Sequence, residues 1–173
     1  VNFDLSVCAP WLTWRDRELH TLPQALHSHR TPGRGMNKVF IHDQLIRFSH
    51  CDPAGIVYFP RFFDLAHGTM EDWFAEGLGQ PLTTLIRDRR MGTPTVSIQS
   101  DFVKPLRMGD TLRFELRVLK AGNASVQLAY SGMKDGVVHL RIKQTIAIVA
   151  LDSGSAIPIP EDLRSRIAEY LVE

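Results

Sequence analysis

A chain of 173 residues with 44% hydrophobic and 23% charged side chains has the size and composition of one ordinary soluble domain, so two unrelated full domains are not expected. The 20 Lys+Arg against 19 Asp+Glu leave a formal charge of +1, which excludes a broad basic footprint for nucleic acid or an anionic membrane; any anionic ligand has to be held locally. Cys8 and Cys51 are too few for a disulfide scaffold, and no stretch approaches the roughly 20 apolar residues of a membrane span. The N-terminus lacks a basic region followed by an apolar core and a small-residue cleavage site, so a reducing, cytoplasmic setting is the expectation.

Residues 1–35 show no sustained helical or strand period, and Thr31-Pro32-Gly33-Arg34-Gly35 reads as a break just before Met36. They are expected to be an N-terminal extension to a domain spanning 36–173. Two readings stay open: a start assigned upstream of a true initiator at Met36, or an arm whose Trp11 and Trp14 dock on a partner subunit.

From Met36 onward a strand is predicted across Val39–Phe48, with Phe40, Ile46 and Phe48 sharing one parity and His42 and Gln44 leaving one face mixed. After the loop Ser49–Phe59, spacings of three and four among Phe62, Phe63, Ala66, Met70, Trp73 and Phe74 predict a long helix over Pro60–Gly77. Pro60 suits a first helical position, and Gly77, Gly79 and Pro81 supply stop signals. Full burial of Phe62, Phe63, Trp73 and Phe74 would contribute about 1.5–3 kcal/mol each. A short helix is predicted at Pro81–Arg90, then strands at Thr95–Val103, Thr111–Leu119, Ser125–Ser131 and Val137–Ala150. In the second of these Leu112, Phe114, Leu116 and Val118 alternate with Arg113, Glu115 and Arg117, and Asp135-Gly136 marks a hairpin into the last. A final helix covers about Glu161–Leu171. The expected fold class is α+β, an antiparallel sheet curled around one long central helix.

The chemistry concentrates in His50-Cys51-Asp52-Pro53-Ala54-Gly55-Ile56-Val57-Tyr58-Phe59-Pro60. This loop sets a carboxylate and a glycine just before a helix N-terminus, where first-turn amides lack partners and favour an anion or a developing oxyanion. Pro60 has no N–H, so Phe59 is the candidate donor, and a loop folding back at Pro53 and Gly55 would bring Asp52 towards a carbonyl held there. Read alone, Asp52 before proline is an Asx-turn residue. Cys51 beside His50 suggests a nucleophile and base, yet neighbours in extended chain face opposite ways, and a small buried thiol is the better reading. His42 and His139 lack metal-ligand spacing, and no metal is expected.

The loop resembles the active-site loop of the 4-hydroxybenzoyl-CoA thioesterases of the hotdog fold, which carry a near-identical Cys-Asp-Pro-Ala-Gly-Ile-Val run. Met91-Gly92-Thr93-Pro94-Thr95-Val96-Ser97 and Asp101-Phe102-Val103 match at similar spacing, and the resemblance covers most of residues 40–150. It implies an antiparallel sheet wrapped around a central helix, a homodimer or homotetramer with acyl-CoA sites at subunit interfaces, and hydrolysis of an aromatic acyl-CoA such as 4-hydroxybenzoyl-CoA without a cofactor. In its terms Asp52 takes the place of the catalytic carboxylate and the Phe59 amide that of the thioester-polarising donor. Gly55, Tyr58, His67, Thr93 and Lys120 become the candidate substrate-binding residues.

Coenzyme A leaves as a thiolate whose parent thiol has an acidity of about 8.5, so one carboxylate suffices, either attacking the thioester to form a mixed anhydride or activating water. Two departures stand out. His67 occupies a helix position where family members can carry an acid, and it is read as a partly buried core histidine or a pocket-lining group. The turn Lys120-Ala121-Gly122-Asn123-Ala124 holds one cation where relatives place a basic cluster, leaving Arg87, Arg89, Arg90, Lys104, Arg107, Arg141 and Lys143 as other candidates for the CoA phosphates. Rival readings are a thioesterase for short or medium aliphatic acyl-CoA or acyl-carrier protein, a non-catalytic acyl-CoA-binding module, and a dehydratase, for which Asp52 lacks a histidine partner.

Overall fold

The structure, a computed structural model, describes residues 38–172. The reading of residues 1–35 as an extension, Cys8, Trp11 and Trp14 included, lies outside them. Strands β1 (Phe40–Leu45), β3 (Thr95–Phe102), β4 (Thr111–Ala121), β5 (Ser125–Lys134) and β6 (Val137–Ala147) form one antiparallel sheet in the order β1-β4-β5-β6-β3. The meander β4-β5-β6 is as the alternating patterns predict. Asp135 (φ 50°) and Gly136 (φ 75°) both adopt the left-handed backbone that a tight two-residue hairpin needs. The flanking positions of β1 and β3 rest on long-range pairing that no local pattern carries.

Helix α1 (Arg61–Asp72) continues through a π turn at Trp73–Gly77, and Phe62, Ala66, Met70, Trp73 and Phe74 are buried while Phe63 is half-buried. They share one core with Leu112, Phe114, Leu116 and Val118 of β4, Val126, Leu128 and Tyr130 of β5, and Leu140, Ile142 and Ile146 of β6. The wider π turn needs Gly77, because a Cβ there would stand 2.6 Å from Trp73 Cδ1. Helix α2 (Leu82–Arg87) buries Leu85, and α3 (Glu161–Ala168) buries Leu163 and Ile167.

Most polar groups on the inner face find partners, while Trp73 Nε1 is buried with no hydrogen bond to a described residue. Gln44 Nε2 donates to Leu65 O at 2.9 Å and Thr69 Oγ1 at 3.0 Å, and His42 Nδ1 lies 2.9 Å from Asp72 Oδ2. The two residues that mix the face of β1 are therefore those that bind it to α1. Tyr130 donates to Gln144 Oε1 at 2.6 Å, and Gln144 Nε2 donates to Thr95 Oγ1 at 2.7 Å, linking β5, β6 and β3.

Three boundaries depart from expectation. β1 stops at Leu45, since Ile46 turns its N–H to Asp110 O; Phe48 falls in a one-turn 3-10 helix (Phe48–His50) and is 81% exposed rather than in line with Phe40. The last long strand breaks after Ala147, and Val149–Ala150 (β7) pairs instead with Met91–Gly92 (β2), a two-residue ladder too short to leave a sequence period. The final helix ends at Ala168 because the chain then turns back along β4, with Val118 N–H on Tyr170 O and Val172 N–H on Val118 O.

Phe74→Ala should lower unfolding free energy by about 3–5 kcal/mol, whereas Phe48→Ala should change it by no more than about 0.5 kcal/mol. Urea denaturation followed by circular dichroism separates the two.

Candidate active site

Asp52-Pro53-Ala54-Gly55 closes a tight turn in which Gly55 N–H donates to Asp52 O at 2.9 Å, with Gly55 at φ +73°. Asp, Pro and Gly at its first, second and fourth positions are the residues such a turn selects. On either side of it, Asp52 N–H meets Ile56 O at 3.0 Å and Tyr58 N–H meets His50 O at 2.9 Å, so the loop is a small hairpin. Asp52 does form the Asx turn, accepting Ala54 N–H on Oδ1 at 2.8 Å. That bond orients the carboxylate and leaves Oδ2 without a hydrogen bond from the described residues.

The entry to α1 is tight. Arg61, Phe62 and Phe63 N–H donate to the carbonyls of Tyr58, Phe59 and Pro60 at 2.8, 3.1 and 3.0 Å. Pro60 has no N–H, and the Phe59 N–H donates to no described residue, so it is the free donor at the positive end of the helix.

Two depressions open beside this loop. One of about 270 Å³ is lined by Phe59, Phe62, Phe102, Val103 and Leu106 among others. Its aromatic rings interlock, Phe102 lying 6.1 Å from Phe59 and 5.6 Å from Phe62 between centroids. The other, of about 450 Å³, is lined by Asp52, Gly55, Arg107, Phe48 and Met108 among others. Val57 N–H donates to Leu106 O at 2.9 Å, joining the two loops that line the first depression. Within one chain Asp52 and Phe59 thus line neighbouring depressions rather than a single one.

Of the other candidate residues, Lys104 lines the first depression, and Tyr58, His67, Thr93 and Lys120 line neither. Tyr58 is half exposed and packs its ring edge-to-face on Phe59 at 5.5 Å. Thr93 is half-buried in the link between β2 and β3, and Lys120 is exposed beyond a register shift near the end of β4. His67 is not a core residue and lines neither of these two depressions: its side chain is half exposed on α1, Nε2 3.1 Å from Glu71 Oε1 one turn on. Phe48 and Met108 carry no sequence signal for these walls, because contacts between loops, not spacing, bring them there, whereas Phe102 lies in a matched motif and Arg107 is among the candidate phosphate cations.

Burial, then the Arg47 and Arg61 charges, hold the His50 imidazole below its usual range, and its Nδ1 accepts Arg47 N–H at 3.1 Å. Cys51 is a half-buried free thiol donating to Arg47 O at 3.7 Å. Neither geometry makes a nucleophile and base. Burial raises the Asp110 carboxyl, but Lys134 Nζ at 2.7 Å and Arg107 N–H at 2.8 Å outweigh it and hold the group below the usual carboxylate range. That knot fixes the loop that walls both depressions.

The thioesterase-like superfamily model matches residues 46–167. A 1,4-dihydroxy-2-naphthoyl-CoA hydrolase from Thermosynechococcus vestitus is 29% identical over 123 residues, covering 70% of this chain and 84% of that protein. A 4-hydroxybenzoyl-CoA thioesterase from Pseudomonas sp. (strain CBS-3) is 30% identical over 127 residues, covering 69% and 90%. Among solved structures, a thioesterase superfamily protein from Jannaschia sp. CCS1 superposes with a TM-score of 0.74 at 25% identity, covering 83% of this chain and 100% of that one. A 1,4-dihydroxy-2-naphthoyl-CoA thioesterase from Synechocystis superposes at 0.70 with 23% identity, covering 75% and 96%, and bears on the fold alone. An antiparallel five-stranded sheet over one long helix, shared with these proteins, defines the hotdog class of α+β domain. The chain belongs to the thioesterase-like superfamily and is a thioester hydrolase. No helix among the described residues is long and apolar enough to cross a membrane.

Because Asp110 has a lower pKa folded than unfolded, its contribution to stability is complete above about pH 3.9 and is lost as pH falls through the folded value. The loss of melting temperature on acidification from about pH 5 to pH 2 should therefore be smaller for Asp110→Asn than for wild type, as scanning calorimetry would read.

Proposed function

We propose that this chain hydrolyses an aromatic acyl-CoA, with 4-hydroxybenzoyl-CoA the first candidate, using Asp52 and the Phe59 amide. The observation that carries the reading is the aromatic-walled groove at the start of α1, where a free N–H borders Phe59, Phe62 and Phe102. An aromatic acyl group gains both area burial and edge-to-face contacts in such a groove. Its relatives named for 1,4-dihydroxy-2-naphthoyl-CoA and 4-hydroxybenzoyl-CoA take hydroxylated aromatic thioesters, which supports the same class here.

In this reading the thioester oxygen accepts the Phe59 N–H, and the field at the helix end stabilises the charge that develops on it. Asp52 Oδ2 then acts in one of two ways. It bonds to the carbonyl carbon as the C–S bond breaks, CoA leaves as thiolate, and water opens the resulting anhydride to restore the carboxylate. Or it takes a proton from water whose oxygen bonds to that carbon, with the same leaving group.

The active unit proposed is a homodimer paired along β3. That strand is a sheet edge, bonded among the described residues to β6 alone, and it exposes Val96 (60%) and Ile98 (42%). A long apolar edge of this kind calls for a partner strand. Phe102 ends β3 and walls the acyl groove, so a second copy along this edge would border the groove itself. A division into residues 1–35 and a catalytic domain 36–173 is part of the same proposal.

Steady-state hydrolysis of 4-hydroxybenzoyl-CoA, benzoyl-CoA, phenylacetyl-CoA and an aliphatic series tests it. An aromatic thioester should give the highest kcat/KM, and Asp52→Asn should lower kcat by about 10²-fold or more. Highest kcat/KM for an aliphatic chain overturns the substrate class, and a twofold effect or less of Asp52→Asn overturns the residue's role. Val96→Lys combined with Ile98→Lys should give monomers by sedimentation velocity, with activity lost alongside.

A further inference from the structure

We propose that Arg107 is a substrate-binding residue that takes an oxyanion of the thiol-bearing half of the substrate, a phosphate of coenzyme A. The inference rests on the thioesterase reading of the Asp52 loop. Arg107 Nη1 lies 3.9 Å from where a Cβ on Gly55 would stand, so the guanidinium leans over the catalytic turn and shares the depression of about 450 Å³ with Asp52. Its side chain makes no hydrogen bond or ion pair with any described residue, whereas Arg89 and Arg90 are taken by carboxylates; Arg87 and Arg141 are also unpaired among the described residues but do not line the depression that holds Asp52.

The base of the side chain is fixed although its head is free. Arg107 N–H is bound by Asp110, Leu106 O by Val57 N–H, and Ile46 O by Gly109 N–H at 2.9 Å. Loop and catalytic turn therefore hold one another, and the guanidinium is presented at a set height over the depression. A guanidinium offers five donors in a planar fork that matches phosphate oxygens, and it stays charged throughout the working pH range.

Which half of the substrate it meets follows from the two depressions. The acyl group belongs with the aromatic walls around Phe59, leaving the neighbouring depression to the leaving group. Its remaining mouth is formed by Phe48 (81% exposed) and Met108 (61%), apolar surfaces against which a pantetheine arm or adenine ring would pack. This position also offers a cation outside the Lys120 turn, where only one is present.

The test compares Arg107→Gln and Arg107→Lys with wild type on one acyl group carried either by coenzyme A or by N-acetylcysteamine, which keeps the thioester and lacks the phosphates. For Arg107→Gln the KM for the CoA thioester should rise about tenfold or more with kcat within twofold, while kinetics on the N-acetylcysteamine thioester stay unchanged. Arg107→Lys should restore most of the loss, and added salt should raise the wild-type KM more steeply than that of the Gln variant. Equal losses on both thioesters would assign Arg107 to the acyl half and overturn the proposal, as would no change on either. Titration of free coenzyme A by calorimetry keeps the two readings apart: absent hydrolysis by wild type sinks the enzymatic reading, while an Arg107-dependent affinity for CoA would still uphold the phosphate contact. Unchanged melting temperatures exclude a folding defect.

Discussion

Burial of the apolar face of α1 under the antiparallel sheet is the constraint on which the rest of the molecule depends. Met70, Trp73 and Phe74 are wholly removed from solvent against the inward residues of β4, β5 and β6. Phe62, Leu65 and Ala66 carry the same buried face to the start of the helix, so it is the entry ahead of Phe62 that meets the surface, where the Phe59 N–H donates to no described residue. A longer N-terminal extension of the helix would have consumed this donor, and Pro60 prevents one. The same packing that stabilises the fold therefore creates the electrostatic feature a thioester oxygen can use.

The loop before the helix works by restraint. Asp52 spends one oxygen on the Asx turn and keeps the other, so the proposed chemistry falls to an oxygen that the turn does not use. Gly55 closes the turn in a left-handed conformation that side-chain-bearing residues rarely adopt, with the Arg107 head at van der Waals distance above it. The Asp110 knot then fixes the opposing loop through Arg107 N–H and Lys134. Preorganisation of this kind means little needs to move when a substrate carbonyl arrives.

A single chain nevertheless presents its acid and its amide donor in adjacent depressions. The β3 edge, with exposed Val96 and Ile98 leading to Phe102 at the groove, is where a second copy would complete the walls. In the proposed homodimer, Phe102 would belong both to the paired edge and to the groove.

Much of this was legible in the residues alone. Period-2 alternation in β4 and period-3.6 spacing in α1 report burial directly, because a side chain's face is set by backbone geometry within a few residues. Asp52, Pro53, Gly55 and Pro60 announce a turn entering a helix through their own conformational limits. What stayed hidden depends on partners far away in sequence. The core reading of His67 fails because the face of α1 that meets the sheet carries Phe62, Leu65, Ala66, Thr69 and Met70 and leaves His67 half exposed beside Glu71. Phe48 lost its strand because Ile46 pairs with Asp110, and β2 and β7 exist only through each other. Arg107 is one of several candidate cations for the CoA phosphates in the sequence, and only the Val57–Leu106 bond brings its loop beside the Asp52 turn. Sequence by itself determined the elements, the inward faces and the chemistry of the loop, since these follow from local backbone and side-chain preferences. Tertiary structure alone decided which edge strands flank the meander, which side chains wall each depression and which charges remain unpaired, since those are set by contacts between segments that no local pattern encodes.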